Sequence, residues 1–364
     1  RFDMARNLAG RRRDESTPTQ LDLTWNAPFR NLGSTVQVSN PYVLGNIFAR
    51  RTPYVIQYML SIQRELRNNL LFEANYLGSV GRKLESLRAF NESIPGATGS
   101  VLSRAPYPEF SRIQEVDGSG RSNYNGFSVK LEKRLSGGLS FVSGYTWSKS
   151  IDNASAIRSH NGDTLFPQNS YNLNAERALS SFHTSHRAVN SVLYQLPFGK
   201  GKRFMDMGGV ANVLFGGWEF GTLFNIQTGF PLTIVSGTDR SNTGAGFDRP
   251  NNVAGQKATL DRDARTIGRW FNTDAFVLQP LGTHGNVGRN TIISPGIIQW
   301  DASMLKSFRF TEDKSLQFRF EAFNAANHPN WGNPDTSRNS ANFGRINGMR
   351  GAMRQLQFGL KLIF

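Results

Sequence analysis

The sequence has 364 residues, no cysteine, and a formal net charge of +15 from 42 basic and 27 acidic side chains. The lack of cysteine excludes disulfides and thiol chemistry, and the lack of a long uncharged apolar run excludes a transmembrane helix. Basic residues are spread along the chain, with one short run at 11–13, so the charge does not favour a nucleic-acid-binding surface.

The beginning of the chain shows no signal peptide, and residue 1 is Arg rather than Met. We therefore expect the sequence to be a fragment whose N-terminal part is missing. A first strand is predicted over residues 17–26, where Leu21, Leu23 and Trp25 alternate with polar residues, and a short extension is predicted at 35–39.

Alternation of apolar and polar residues with a period of two recurs along the chain and predicts amphipathic strands. In the stretch 54–63, for example, Tyr54, Ile56 and Tyr58 share one face, while Gln57 and Ser61 share the other. The predicted strands cover residues 17–26, 54–63, 70–76, 124–132, 139–148, 186–196, 218–227, 298–304, 316–322 and 355–364.

The last predicted strand ends on an aromatic residue at the chain terminus. Its apolar residues are Leu356, Phe358, Leu360, Leu362 and Phe364. Soluble proteins usually end in a few frayed polar residues, whereas a strand that meets lipid can stay apolar to its end. A final strand of a soluble sandwich would show the same local pattern, so the rest of the chain must decide between the two.

Connections between these strands alternate between short and long. Short turns are predicted near 64–69, 134–138 and 311–314, and long loops at 81–122, 149–185, 229–297 and 324–353. Outer-membrane barrels have this rhythm, with short periplasmic turns and long outer loops. A soluble sandwich does not usually keep it.

Charged residues lie within the strands, on the face opposite to the aromatic ones. They are Glu73, Lys130, Glu132, Glu219, Asp301, Arg319, Glu321 and Lys361. In a large barrel the apolar face meets lipid and the charged face encloses water. The tyrosines and tryptophans near strand ends suit the aromatic girdles of such a barrel: Tyr54, Tyr58, Tyr145, Trp147, Trp218 and Trp300.

This orientation of the faces predicts that the sheet leaves its aromatic side chains unburied by protein. Crowding of Phe127, Phe220, Phe318 and Phe358 in a closed interior would rule out the membrane assignment.

Residues with possible chemistry do not form a recognisable catalytic or metal-binding pattern. His183 and His186 match no zinc spacing. The aspartates of the longest loop, which are Asp239, Asp248, Asp261 and Asp263, lack the spacing of a calcium-binding EF-hand. His328 lies in a turn-forming segment, and the Lys200–Lys202 turn lacks the Gly-Lys-Ser/Thr of a phosphate loop. We expect no enzyme activity, no cofactor and no metal site.

Several segments, taken together and in order, resemble one family. They are Arg64-Glu-Leu66, Leu71-Phe-Glu-Ala-Asn-Tyr-Leu-Gly-Ser-Val-Gly-Arg-Lys-Leu84, Leu131-Glu-Lys-Arg-Leu-Ser-Gly-Gly-Leu-Ser-Phe-Val-Ser-Gly-Tyr-Thr-Trp-Ser-Lys-Ser-Ile-Asp152, Leu196-Pro-Phe-Gly-Lys-Gly-Lys202, Trp270-Phe-Asn-Thr273, Gly285-Asn-Val-Gly-Arg-Asn290 and Phe323-Asn-Ala-Ala-Asn-His-Pro-Asn-Trp-Gly-Asn-Pro334. This set resembles the C-terminal barrel of Oar-like TonB-dependent receptors, from about residue 17 to the end.

The resemblance implies a barrel of about 22 strands, preceded by a plug, an energy-coupling box and often a regulatory-like β domain. None of these is recognised in the sequence. We therefore expect residues 1–364 to be the C-terminal part of such a barrel: an all-β, antiparallel transmembrane barrel, partial, with about ten to twelve strands and long extracellular loops. Such a part should not transport a ligand by itself.

By this resemblance the protein is an integral outer-membrane receptor that takes up a scarce ligand. Glu219, Arg319 and Glu321 are expected to face the lumen, and Phe358, Leu360, Leu362 and Phe364 to act as the barrel-assembly signal. Expected partners are outer-membrane lipid and lipopolysaccharide, the barrel-assembly machinery, the TonB complex through the missing N-terminal region, and an unknown transported ligand.

Two alternatives remain open on the sequence alone. The first is a non-transporting surface or adhesion barrel whose basic loops bind lipopolysaccharide. The second is a soluble basic β protein that binds nucleic acid, which would be soluble without detergent and bind DNA in a salt-sensitive way.

Overall fold

The computed structural model describes residues 42–48, 50–67, 69–156, 166–206, 208–246, 248–311 and 313–364. The strand predicted at 17–26 and the extension at 35–39 lie outside these residues. The described residues form fifteen strands, which are numbered in chain order. Eleven of them form one sheet: β1 (Tyr42–Asn46), β2 (Tyr54–Arg67), β3 (Leu70–Ala89), β4 (Arg112–Ser136), β5 (Leu139–Asp152), β6 (Ala178–Leu179), β7 (His186–Gln195), β8 (Trp218–Gln227), β13 (Ile297–Arg309), β14 (Ser315–Phe323) and β15 (Gln355–Ile363).

The remaining elements are short and lie in the connections. Strands β10 (Asn251–Asn252) and β11 (Phe276–Val277) form one pair, and β9 (Pro231–Leu232) and β12 (Ile292–Ile293) form another. One α-helix, α1 (Gly209–Phe215), lies between β7 and β8. Single turns of 3₁₀ helix occupy Leu102–Arg104, Leu173–Glu176, Arg262–Ala264 and Thr273–Ala275. Among the described residues, no helix combines the length and the apolar composition that crossing a membrane would need.

The long strands pair in the order β15-β14-β13-β8-β7-β5-β4-β3-β2. Each pair is antiparallel, so the chain crosses the sheet back and forth as a meander. Strand β1 joins the far part of β4 in parallel, and β6 joins the end of β5. Within the described part of the chain, β2 and β15 each pair with one strand only, so the sheet is an open wall rather than a closed barrel.

The sequence predicts short connections at one end of the wall and long ones at the other, and this holds except at 196–217, which is as long as the connection 90–111. At one end, the short-turn end, the connections are 68–69, 137–138, 196–217 and 310–314. At the other end they are 90–111, 153–185, 228–296 and 324–354. These four long connections bond to one another, for example through Ser93 N to Thr243 O and Val235 N to Thr336 O, and are called the loop cap below.

The loop predicted over residues 81–122 is wrong at both ends. Strand β3 continues to Ala89 and β4 begins at Arg112, which leaves 90–111 as the connection. The pairing of β3 with β4 shifts register between Gly81 and Leu84 and again between Leu84 and Ser86. These irregularities, and small polar residues on both faces, remove the period of two from the sequence although the backbone stays paired.

The cross-strand register confirms that the strands carry one apolar and one polar face. Phe220, Met304, Phe320 and Phe358 lie opposite one another in a single row. None of Phe127, Phe220, Phe318 and Phe358 is buried, and Phe358 is 68% exposed. The sheet therefore does not bury its aromatic face, which is the opposite of a soluble β protein.

The apolar core of the described protein lies instead in the loop cap. Phe271 and Phe276 are almost fully buried, and their ring centroids lie 5.9 Å apart. Phe343 from the next long connection completes the cluster, with its ring centroid 5.1 Å from that of Phe271. The connection 228–296, which the sequence presents as one long polar loop, is thus a packed structure with its own core.

Candidate functional site: the polar face and its loop cap

The polar face of the wall gathers the charged residues of many strands. Cross-strand pairs place Glu73 beside Lys130, and Glu219 and Arg319 on either side of Leu305. Because side chains directly opposite each other in a ladder share a face, the eight charged strand residues named above all lie on this one. Apolar residues such as Leu223 and Leu305 also lie on it, so the face is mixed rather than purely polar.

The three residues expected to face a lumen are brought together on this face. Glu219 and Arg319 belong to one cross-strand row, and Glu321 lies two residues along β14 from Arg319. The Nη1 of Arg319 lies 3.7 Å from Oε1 of Glu321. Gln195 donates a hydrogen bond of 3.2 Å from Nε2 to Oε1 of Glu219. This row holds both signs of charge and amide groups, a surface suited to polar solutes.

A second charged group lies nearer the other edge of the wall. The Nζ of Lys130 lies 2.7 Å from Oε2 of Glu132. Asn75 donates to Oε1 of Glu73 over 2.7 Å. Charge of both signs therefore extends across the polar face from β3 to β15.

The terminal strand presents its apolar residues together, as expected. Phe358, Leu360 and Leu362 lie opposite Phe320, Phe318 and Leu316 of β14, and Phe364 is 90% exposed. The ring centroids of Phe320 and Phe358 are 5.0 Å apart. These side chains form an apolar strip along one edge of the wall.

The loop cap is held together by buried ion pairs that the sequence analysis missed. The guanidinium of Arg249 donates to both carboxylate oxygens of Glu176, at 2.7 and 2.9 Å, and both side chains are almost fully buried. Arg289 pairs with Asp152 at the end of β5 and donates from Nε to the Glu176 carbonyl oxygen over 2.9 Å. Two long connections are thereby fixed to each other and to the sheet.

One signal for this network is present in the sequence, in the run 285–290. The carbonyl of Gly285 accepts from Gln168, and Arg289 and Asn290 bind across to the connection 153–185. A Cβ at residue 285 would lie 1.9 Å from the carbonyl oxygen of Arg249, so the approach needs glycine. In the sequence this run contributes to the family resemblance, and its spacing does not indicate these hydrogen bonds.

A partly buried histidine lies between two buried carboxylates in the same cap. The Nε2 of His284 lies 3.8 Å from Oε1 of Glu92, and its Nδ1 lies 3.7 Å from Oδ1 of Asp248. Neither nitrogen has a hydrogen-bond partner among the described residues. The other carboxylate oxygen of Glu92 accepts from the Ser170 backbone N–H over 2.8 Å. Burial raises the pKa of Glu92 above its ordinary value of 4.5. The hydrogen bond from Ser170 and the nearby His284 lower this pKa, but their combined effect is smaller than that of burial.

His183 and His186, the two histidines examined as possible metal ligands, each form hydrogen bonds with different partners. The Nδ1 of His183 accepts from Ser150 N over 3.2 Å, and its Nε2 lies 3.0 Å from Ser185 Oγ. Burial, and then the charge of Lys149, lower the pKa of His183, so the ring stays neutral. His186 bonds through Nδ1 to the Tyr145 hydroxyl over 2.7 Å.

The loop aspartates serve the backbone instead of gathering around a common point. Asp239 accepts from the N–H groups of Thr243 and Gly244, and Asp248 accepts from that of Ser241. Asp261 and Asp263 are exposed and lie at a single helical turn. The described residues contain no cluster of three or more His, Asp or Glu side chains suited to a metal ion.

The architecture of the sheet defines the class of protein. An open, all-β, antiparallel wall with an exposed apolar face defines a segment of a membrane β-barrel. The sequence matches the family described as "Outer membrane beta barrel domain" over residues 3–357, and the chain belongs to that family. It is therefore an integral protein of the outer membrane.

Solved structures resemble the chain at low identity. The outer membrane transporter YddB from Escherichia coli is 12% identical, with a TM-score of 0.47, over 89% of this chain and 34% of that one. The FrpB iron transporter from Neisseria meningitidis is 12% identical (TM-score 0.42; 87% and 32%). The pyoverdine receptor FpvA from Pseudomonas aeruginosa PAO1 is 10% identical (TM-score 0.43; 84% and 29%). The chain thus spans about a third of their length, and no curated protein matches it.

The buried pair yields a prediction about the stability of the loop cap. Arg249→Ala should weaken the cap by about 3–5 kcal/mol, because it leaves the Glu176 carboxylate buried without its partner. Faster amide hydrogen exchange at residues 168–180, measured on the protein in membranes, would show this.

Arg269→Ala is the matched control. Arg269 pairs with Asp274 on the surface, and its loss should cost less than about 1 kcal/mol. Replacing both buried partners with Arg249→Met and Glu176→Leu should recover much of the loss. Equal exchange in the Arg249 and Arg269 variants would contradict the assignment.

The raised pKa of Glu92 predicts a pH dependence of the cap. A closed cap that holds this proton more tightly than an open one is most stable in acid and loses stability as the pH rises from 4.5 through the raised pKa. Glu92→Gln should flatten this dependence and leave the cap at least as protected from hydrogen exchange at neutral pH as the native protein.

The control is Glu109→Gln, which alters an exposed carboxylate of the same connection. Exchange rates are corrected for their intrinsic pH dependence before comparison. If the Glu92 and Glu109 variants followed the same pH profile as the native protein, burial of Glu92 would not govern the stability of the cap.

Proposed function

We propose that this protein is the C-terminal barrel part of an Oar-like TonB-dependent receptor that takes up a scarce ligand across the outer membrane. The observation that carries the proposal is the polar face, which keeps charged and amide side chains across nine adjacent strands beneath a packed loop cap. A polar inner face is common to outer-membrane barrels, and the packed loop cap above it adds a surface suited to capturing a ligand.

In this proposal the loop cap faces outside and the short-turn end faces the periplasm. The cap captures the ligand, and its ion pairs keep the capturing surface fixed, which lowers the entropic cost of binding. The ligand then passes along the polar face, where Glu219, Arg319 and Glu321 line the path. Both signs of charge occur there, so the path suits a polar solute carrying groups of either sign.

In this proposal, the plug and the energy-coupling segment of the receptor are encoded upstream of residue 1. A plug closes the lumen, and an energy-coupling segment connects it to the TonB complex, which displaces the plug. The full reading frame tests this directly. An upstream frame without a plug-sized domain would overturn the transport proposal.

Adjacent residues of β14 test which face encloses water. The chain has no native cysteine, so Arg319→Cys and Phe320→Cys each carry a single reactive thiol on opposite faces. In outer-membrane vesicles, a membrane-impermeant cationic thiol reagent should label Arg319→Cys at least about tenfold faster, because the reactive thiolate does not form in hydrocarbon. Equal labelling would contradict a water-filled lumen.

Energy dependence separates a receptor from a passive wall. In cells making the full-length protein, labelling of Arg319→Cys from outside should slow when a protonophore removes the inner-membrane energy source. The Phe320→Cys variant should show no such change. Labelling of Arg319→Cys that is fast and unaffected by the protonophore would leave the lumen in place and rule out energised opening.

We also propose that Phe358, Leu360, Leu362 and Phe364 form the signal for the barrel-assembly machinery. Their support is the continuous apolar strip that they form along the edge strand. Deleting Phe364 should reduce the heat-modifiable, folded form in outer membranes, measured by gel mobility with and without boiling. Substituting Gln357, which lies on the other face of β15, provides the control, and unchanged assembly after the deletion would overturn the role.

A further inference from the structure

A small unit at the short-turn end has an apolar surface that the described protein leaves uncovered. The helix α1 has no buried residue, and its exposed side chains include Val210, Val213, Leu214 and Phe215. Val210 is 74% exposed. A seven-residue helix gains little stability by itself, so its position must be fixed by contacts to the wall.

The contacts that fix α1 come from the apolar face of the wall. Lys306 lies on this face, opposite Trp218 and Phe318 in its row, yet it is only 2% exposed. Its ammonium donates to the carbonyl oxygens of Leu214 at 3.1 Å and Gly216 at 2.6 Å. A cation at the C-terminal carbonyls of a helix is favourable, so the lysine holds α1 against the apolar face.

Aromatic rings complete this attachment. The indole N–H of Trp218 donates to the Leu214 carbonyl oxygen over 3.0 Å. The Lys306 ammonium lies 5.2 Å from the centroid of the Trp218 ring and 5.0 Å from that of Phe308. Through these contacts the helix lies beside the side chains that meet lipid, and not beneath the polar face.

The turn that precedes α1 is part of the same unit. Asn212 of the helix accepts from the Lys200 backbone N–H over 2.8 Å. The rings of Phe198 and Phe204, which are also exposed, have centroids 6.0 Å apart. The turn also carries three exposed cations, Lys200, Lys202 and Arg203, against one acidic residue, Asp206.

We propose that residues 196–217 form an interfacial anchor that inserts its apolar side chains into the membrane leaflet at the short-turn end and binds anionic phospholipid headgroups with Lys200, Lys202 and Arg203. An apolar helix face beside basic residues is the composition that lies in a membrane interface. The anchor continues the lipid-facing surface of the wall beyond its strands. The choice of leaflet rests on the orientation given under the proposed function.

The occupant of the apolar surface is tested by fluorescence. Val213→Cys, carrying an environment-sensitive label, is reconstituted in phosphatidylcholine vesicles with and without brominated lipid. Quenching by brominated lipid is expected, and little quenching by iodide in water. Gln317→Cys, on the polar face of β14 at the same end, should show the reverse.

A label at Phe358→Cys, on the apolar face of the wall, tests the membrane placement of the wall independently of the anchor. If brominated lipid quenches a label at residue 358 but not one at 213, the wall lies in the membrane and the anchor is refuted. If a label at residue 213 is shielded from both quenchers, protein covers α1, from this chain or a second copy, and the anchor is likewise refuted. Quenching at neither 358 nor 213 would refute the membrane placement of the wall as well.

Headgroup binding is tested with the triple variant Lys200→Ser, Lys202→Ser, Arg203→Ser. Phosphatidylglycerol bound to the purified protein, relative to phosphatidylcholine, is measured by native mass spectrometry. Each lost cation should weaken the preference on the order of fivefold. The control Arg134→Ser removes an exposed cation near the end of β4, beside another turn at the same end, and should have a smaller effect. An unchanged preference in the triple variant would overturn the headgroup assignment.

Discussion

Hydrocarbon offers no hydrogen bonds, and this constraint explains most of the architecture. Backbone groups in the membrane must be paired within the protein, which the antiparallel ladders between neighbouring strands provide. Polar side chains on the apolar face are paired as well. Ser143 donates to Asn190 over 2.6 Å, and the Trp300 indole donates to Thr222 over 2.8 Å. Lys306 is paired in the same way, because its ammonium donates hydrogen bonds to the carbonyl oxygens of Leu214 and Gly216 at the end of α1.

The loop cap is surrounded by water, so its apolar side chains are buried and not exposed. Outside the membrane, water supplies a hydrophobic driving force, so the long connections bury Phe271, Phe276 and their neighbours in a compact core. Buried charges in that core are paired, as with Glu176 and Arg249, since an isolated charge would be expensive there. One chain therefore contains an apolar exterior in its strands and an apolar interior in its loops. A rigid cap above a polar face is the geometry from which we infer ligand uptake.

The connections at the two ends of the wall differ in what holds them in place. At the long-loop end, ion pairs between distant segments fix a surface that can present a constant shape. At the short-turn end, only the connection 196–217 is long enough to form a helix, and that helix attaches to the outside of the wall. The adjoining cations and apolar side chains match a lipid interface in both charge and hydrophobicity. In the two proposals, the same wall separates a solute-facing function on one face from membrane attachment on the other.

The sequence by itself determined most of the long strands and their two faces, because a period of two is a local property that each segment carries alone. The alternation of short and long connections, together with the family resemblance, indicated the protein class. Alternation at residues 54–63 and 355–364, for example, needs no knowledge of partners. The sequence could not show that β3 runs on to Ala89, since bulges erase the period there. Nor could it show that Arg249 meets Glu176, or that Lys306 meets α1, because these partners are about 70 and 90 residues apart. Only the register of the folded sheet brings such residues together, and that register depends on every strand between them.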